Sequence, residues 1–312
     1  MSHSPATTLI NNKQLQTMPT SDSDSKQPEF YYYEGVDVPN DVIHAIVDGT
    51  VKAIGDGSFS QCKSLTSIKF PDGLERIGSR AFYGCTSLAC LKFPDGLKSI
   101  GDGSFSQCKS LTSINFPDRL ESVGSSAFYG CTSLASIDLP DGLKSIGSRA
   151  FWQCTSLAAI KFPDGLESIG YGSFFGCISL TSIKLPDGLK SIGDSAFYQC
   201  KSLASIDLPD GLKSIGSRAF WQCTSLTSID LPDGLESIGY GSFSDCMSLA
   251  SIDLPDRLKR IGDGSFMNCA SLASIKFPDG LESIGSRAFY QCKSLASIDL
   301  PNGLESIGDS AF

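Results

Sequence analysis

The sequence predicts a β-rich repeat solenoid: parallel stacked short strands with one helical turn per 23-residue coil. Two observations carry this reading. Eleven cysteines, from Cys62 to Cys292, fall at a fixed spacing of 23 residues, and everything around them repeats in the same register. Each unit also alternates apolar and polar residues just before a P-D-G turn, the period-two signature of a strand with one buried face. A period this short means stacked supersecondary units, none able to bury its apolar side alone.

The unit reads C-x-S-L-x-S-I-x-[FL]-P-D-G-L-x-x-I-G-x-x-[AS]-F-x-x, as in CTSLASIDLPDGLKSIGSRAFWQ at 131–153. In the first strand Ile68 and Phe70 face inward, while Ser67 and Lys69 face out. Proline ends that strand. It is expected at the first corner of the turn, with Asp at the second and Gly closing it. The turn aspartates, from Asp72 to Asp279, are expected to accept from nearby backbone N–H groups. A shorter strand, L-x-x-I-G, follows, and x-x-[AS]-F-x-x-C then makes about one helical turn that swings Phe under the next coil. The glycine after Ile, from Gly55 to Gly308, has no exception in twelve copies. It therefore holds either a positive φ or a close backbone contact. The P-D-G glycine is less demanding, since Arg119 and Arg257 replace it.

Three parts make up the chain. Residues 1–29 form a polar leader expected to be disordered, without the apolar core of a signal peptide. Residues 30–61 read as an N-terminal cap with a degenerate repeat, preceded by the aromatic arm Phe30, Tyr31, Tyr32 and Tyr33. Residues 62–312 hold eleven repeats, ten complete (62–291) and a last, incomplete one (292–312). That final unit lacks a polar closing coil, so end-to-end self-association or a disordered last repeat is expected. Above the 23-residue period lies a 69-residue one: Arg80, Arg149, Arg218 and Arg287 recur in G-S-R-A-F, and 134–157 is identical to 203–226.

The pattern LxxIx[LF]PxxLxxIGxxAFxxC resembles the BspA-like leucine-rich repeat family, over about 250 of the 312 residues. The resemblance implies a right-handed leucine-rich-repeat solenoid with parallel sheets, used in protein binding and often in adhesion. It carries over no catalytic residues. Cys90 and Ala159, in place of the strand serine, and Asn302, in place of the turn aspartate, depart from the pattern.

Composition narrows the function. A formal net charge of −9 argues against nucleic acid or an anionic membrane as partner. No run approaches the ~18 apolar residues that membrane insertion would need. The histidines are His3 and His44, and no phosphate loop, zinc motif or nucleophile elbow occurs. Neither catalysis nor a cofactor is expected. One thiol per coil, ~4.8 Å from the next, makes a line and not a tetrahedral metal site. Identically oriented neighbours also keep their Cβ atoms beyond the ~3.8 Å of a disulfide. The column is therefore read as small buried hydrophobes, with Cys90, at an outward strand position, as the reactive thiol. Unpaired thiols and the lack of a signal peptide favour a cytoplasmic location.

Three surface columns remain. The residue after the second Leu alternates Glu and Lys from Glu75 to Glu305, with eight of ten neighbouring pairs opposite in sign, so pairing between coils explains it. The outward strand column (Lys69, Lys92, Asn115, Asp138, Lys161, Lys184, Asp207, Asp230, Asp253, Lys276, Asp299) has four opposite pairs in ten. Its run Asp207, Asp230, Asp253 is either drift after duplication, a partner-facing acidic patch or a divalent cation site. The third column contains Trp152 and Trp221 among seven aromatics in ten; it forms either an exposed ridge or the filling between adjacent turns. The candidate binding residues are Asp207, Asp230, Asp253, Lys161, Lys184, Trp152 and Trp221. The function expected is a non-enzymatic scaffold for a protein ligand; the alternative is a surface adhesin or structural protein.

Overall fold

The structure, a computed structural model, describes residues 15–16, 30–35 and 38–312. The rest of the 1–29 leader lies outside the described residues; Leu15–Gln16 runs antiparallel to Phe30–Tyr31. The chain winds as a parallel β-solenoid. Its two-residue strands, from Ala53–Ile54 to Ser306–Ile307, form one 12-stranded sheet in coil order, with isoleucine beside isoleucine (Ile146, Ile169, Ile192). The three-residue strands form a second, interrupted row. At its start Phe30–Tyr33 lies parallel to His44–Val47, which pairs with Ser67–Lys69. Tyr33 is buried against Phe59, and its hydroxyl bonds Ser58 Oγ at 2.8 Å.

The corner before each cysteine is not the expected helical turn. Arg149 N, Phe151 N and Gln153 N donate to Tyr171 O, Ser173 O and Phe175 O of the next coil. The intervening Ala150 N, Trp152 N and Cys154 N close local three-residue turns onto Gly147 O, Arg149 O and Phe151 O. A helix would spend every donor internally and leave none for the neighbouring coil. Two left-handed residues per corner enforce the alternation, Arg149 (φ 57°) and Gln153 (φ 57°) in this coil, with Gly172 and Gly176 in the next.

The P-D-G turn also differs from expectation by one residue. Leu74 N donates to Pro71 O, so Pro opens the turn and Asp and Gly occupy both corners. Gly73 does not take a positive φ, which explains why Arg119 and Arg257 are accepted at its position. The turn aspartates are exposed. The carboxylates that accept from backbone belong to another column, as in Asp56 to Ser79 N and Asp194 to Ser217 N, each 2.7 Å.

The glycine after Ile proves to be a close contact. Gly170 N donates to Ile146 O at 3.0 Å and Gly193 N to Ile169 O at 2.9 Å, neither with a positive φ. A Cβ on Gly170 would lie 2.8 Å from Ser148 N and 2.9 Å from Ile146 O, too near for any side chain. Inside this seam a ladder of parallel phenylalanines runs from Phe59 to Phe312, with ring centroids 4.9 Å apart at Phe59–Phe82 and 5.6 Å at Phe197–Phe220. Leu74, Leu97 and their equivalents as far as Leu281 fill the space beside it, fully buried.

The thiols prove to be more than filler. Cys154 Sγ donates to Phe128 O at 3.3 Å, the carbonyl that also accepts from Cys131 N at 3.2 Å. The same bond recurs from Cys85 to Cys292, so each buried Phe carbonyl gains a partner from the next coil. In the last coil Leu300, Ile307 and Phe312 are exposed.

Gly170→Ala should destabilise the chain by about 3 kcal/mol and open the coils on either side, because overpacked backbone has nowhere to move. Gly211→Ala, whose added Cβ would meet nothing nearer than Asp187 O at 3.7 Å, should change stability by less than about 0.5 kcal/mol. Urea midpoints with hydrogen exchange mapped by coil test the pair; equal effects would refute the seam.

Candidate binding face

The outward strand column is built from short side chains on a row that pairs only in places. Three-residue ladders join Cys90–Lys92 to Ser113–Asn115, Ser136–Asp138 to Ala159–Lys161, Ser182–Lys184 to Ser205–Asp207, and Ser251–Asp253 to Ser274–Lys276. At the outward position these put Lys92 beside Asn115, Asp138 beside Lys161, Lys184 beside Asp207, and Asp253 beside Lys276. No ladder forms between Lys69 and Lys92 or between Lys161 and Lys184. Asp207, Asp230 and Asp253 are joined to one another only by isolated bridges, and Ser228–Ile229 lose strand geometry altogether. Like charges at strand spacing repel by about 1 kcal/mol in water, as much as a backbone hydrogen bond contributes net. Every like-charged joint in this column lacks a full ladder, and every opposite-charged joint but Lys276/Asp299, which lies against the exposed final coil, has one; the neutral Asn115 closes onto Lys92 and stays open toward Asp138.

Open joints leave clefts. One of ≈ 270 Å³ lies between Lys161 and Lys184, floored by Phe162 and Leu185 and edged by Asp164 and Asp187. Another, ≈ 240 Å³, opens between Asn115 and Asp138. Asp207, Asp230, Asp253, Lys161 and Lys184 all lie exposed on this one face. Trp152 and Trp221 do not join them; they belong to the ridge of corner turns.

On that ridge the aromatic column is a half-buried stack and not a row of free rings. Trp152 and Phe175 lie face to face with centroids 3.9 Å apart and Phe175 and Tyr198 at 4.6 Å, while Tyr198 and Trp221 are tilted by 35° at 5.6 Å. Arg149 lies over Trp152 and Tyr171, and Arg218 over Trp221 and Tyr240, each within 5.3 Å of the ring centroids. Sequence reasoning did not mark these arginines as ring partners. The available signal was Tyr171 and Tyr240, each 22 residues after an arginine and copied with it.

The Glu/Lys column pairs as its signs require, with Lys98–Glu75 at 2.9 Å, Lys190–Glu167 at 2.5 Å and Lys259–Glu282 at 2.6 Å. Hydrogen bonds from Lys98 and Lys190 hold the carboxyls of Glu75 and Glu167 below the usual range. These pairs are exposed and serve the solenoid.

Cysteines 62 to 269 of the column are free and buried, Cys292 is half-buried, and Cys90 is exposed. Burial pushes the Cys154 thiol up to about 12. Among the described residues no His, Cys, Asp or Glu side chains group as metal ligands, and no helix is long and apolar enough to cross a membrane.

The family model for the BspA type leucine rich repeat region matches residues 41–158, 144–270 and 241–312. The chain belongs to the BspA-type leucine-rich repeat family. Among solved structures, it is similar to a leucine-rich repeat protein from Bacteroides ovatus, with 31% identity over 86% of this chain and 90% of that one, at a TM-score of 0.58. A leucine-rich repeat protein from Eubacterium ventriosum shares the fold at 23% identity, covering 83% of this chain and 78% of that one, with a TM-score of 0.54. No curated protein matches the chain significantly. As in its family, the repeats form a scaffold of the kind commonly used in protein interaction.

Alkylation of the native protein should modify Cys90 rapidly and leave Cys85 and the column from Cys108 to Cys269 untouched until unfolding, since a buried thiol with a raised pKa supplies almost no thiolate. Peptide mapping by mass spectrometry checks this. Labelling of the central column at the rate of Cys90 would contradict its burial.

Proposed function

We propose that this BspA-type repeat protein is a non-enzymatic interaction scaffold whose partner docks on the outward strand face, across Asp207, Asp230 and Asp253. One observation carries the reading: three aspartates stand in register on successive coils where the strand row is reduced to isolated bridges. The solenoid gains nothing from that arrangement, while a basic protein segment would neutralise it. Lys184 and Lys276, in register with the outer aspartates, bound the patch and set its length.

A lysine- and arginine-rich peptide is the direct probe, with an acidic peptide of equal length as control. Binding should weaken as salt rises. Changing Asp207, Asp230 and Asp253 together to Asn should abolish it while preserving or raising stability, because repulsion is relieved. Changing Lys144, Lys190 and Lys213 to Gln should cost slight stability and leave binding intact. Binding indifferent to the Asp triple but lost with Trp152 and Trp221 would move the site to the aromatic ridge.

A further inference from the structure

The aromatic stack on the corner ridge ends at Trp221. The next two rungs are Ser244 and Met267, the one place in the column where two consecutive residues are not aromatic. A cleft of ≈ 380 Å³ opens there, lined by Trp221, Tyr240, Ser244, Asp263, Met267 and Arg287 among others. Ser244 is 1% exposed, and its Oγ is the buried side-chain oxygen without a hydrogen-bond partner among the described residues. The neighbouring buried serines are fully engaged: Ser242 Oγ bonds Gly216 O and Gly239 O, and Ser265 Oγ bonds Gly239 O and Gly262 O. An orphaned hydroxyl beside an open aromatic face is therefore a local exception.

The chain contains its own reference for what fits. Residues 134–157 and 203–226 are identical, and Tyr171-Gly172-Ser173-Phe174 corresponds to Tyr240-Gly241-Ser242-Phe243. The two coils then diverge, with Phe175 in one and Ser244 in the other. In the first, the Phe175 ring lies on Trp152 at 3.9 Å with planes 4° apart. In the second, no ring among the described residues stacks on the equivalent face of Trp221. Trp221 is nevertheless held firmly. Its Nε1 donates to Asp245 at 2.7 Å, Asp245 also accepts from Asn268 Nδ2 at 2.7 Å, and Arg218 lies over the ring. The platform is preorganised while the ring that would cover it is missing.

We propose that this cleft binds a planar aromatic ring carrying a hydrogen-bonding group, such as the phenol of a tyrosine side chain. The ring takes the place that Phe175 occupies one block earlier, on Trp221 and beside Tyr240. Its polar group supplies the partner that Ser244 Oγ lacks, a bond whose absence is costly in a buried site. Arg287 and Asp263, at the mouth, offer both signs of charge to whatever carries the ring. This site is separate from the strand face and does not rest on the reading of the acidic patch.

The test uses the full chain with Trp152→Phe, which leaves Trp221 as the only tryptophan. Its emission is followed during titration with p-cresol and, separately, with a blocked Gly-Tyr-Gly peptide; blocked Gly-Leu-Gly is the control. Saturable quenching by either phenol is expected, absent for the leucine peptide. Ser244→Phe should abolish it by restoring the missing rung. Ser244→Ala should weaken it about fivefold, the value of one hydrogen bond. If p-cresol binds as tightly as the peptide, the ring alone is the ligand; tighter binding of the peptide shows that the ring arrives on a polypeptide. Three results would overturn the proposal: quenching that never saturates, quenching equal in Ser244→Phe, or affinity unchanged in Ser244→Ala. The alanine variant decides the matter should the phenylalanine variant misfold.

Discussion

Backbone meeting backbone at the glycine after each inner isoleucine sets the distance between coils, and the remaining structure conforms to that distance. A side chain at Gly170 would need to occupy the space of Ser148 N and Ile146 O. With the seam closed, the core phenylalanines fall into parallel contact, at 5.4 Å for Phe174–Phe197. Such stacking contributes about 1 kcal/mol per pair beyond area burial, but it is available only because the coils are already close. The thiol bonds depend on the same spacing, since Cys154 reaches a carbonyl 26 residues back.

The same constraint acts on the surface, where side-chain length decides the outcome. Glu and Lys are long enough to bend toward one another across a coil joint, and Lys98 and Glu75 meet at 2.9 Å. Aspartate on a strand has one methylene and little freedom, so Asp207, Asp230 and Asp253 stay where the backbone puts them. Such exposed Glu/Lys pairs contribute a few tenths of a kcal/mol each. The strand column cannot adjust in that way, and its mismatches appear as missing ladders.

Much of this was legible in the sequence because periodicity exposes it. The 23-residue register, inward residues such as Ile137 and Leu139, the buried thiols and the self-pairing Glu/Lys column all follow from local alternation repeated many times. The corner turns were hidden because Arg149 and Gln153 are not residues that signal a left-handed backbone. Comparing coils would have revealed them, since Gly57, Gly103 and Gly172 share the position of Arg149. The turn frame was misplaced because proline fits either of two positions, and only the Leu74 to Pro71 bond distinguishes them. The candidate residues divided for a similar reason. Register alone places the aspartates and lysines on one face, whereas the setting of Trp152 and Trp221 depends on side chains 19 to 24 residues away.

The identity of 134–157 with 203–226 has a consequence for how this molecule finds its register. Either segment could dock on the neighbour of the other without a single altered contact, leaving 69 intervening residues looped out. Closing such a loop costs about 4 kcal/mol in chain entropy. The greater penalty is three coils left without their stacking partners, and that shortfall is what separates the full-length winding from its shortened alternative. Uniformity that makes each joint dependable also makes the joints interchangeable. Length in this protein is therefore specified by the number of coils that complete the stack and not by any address written into one coil.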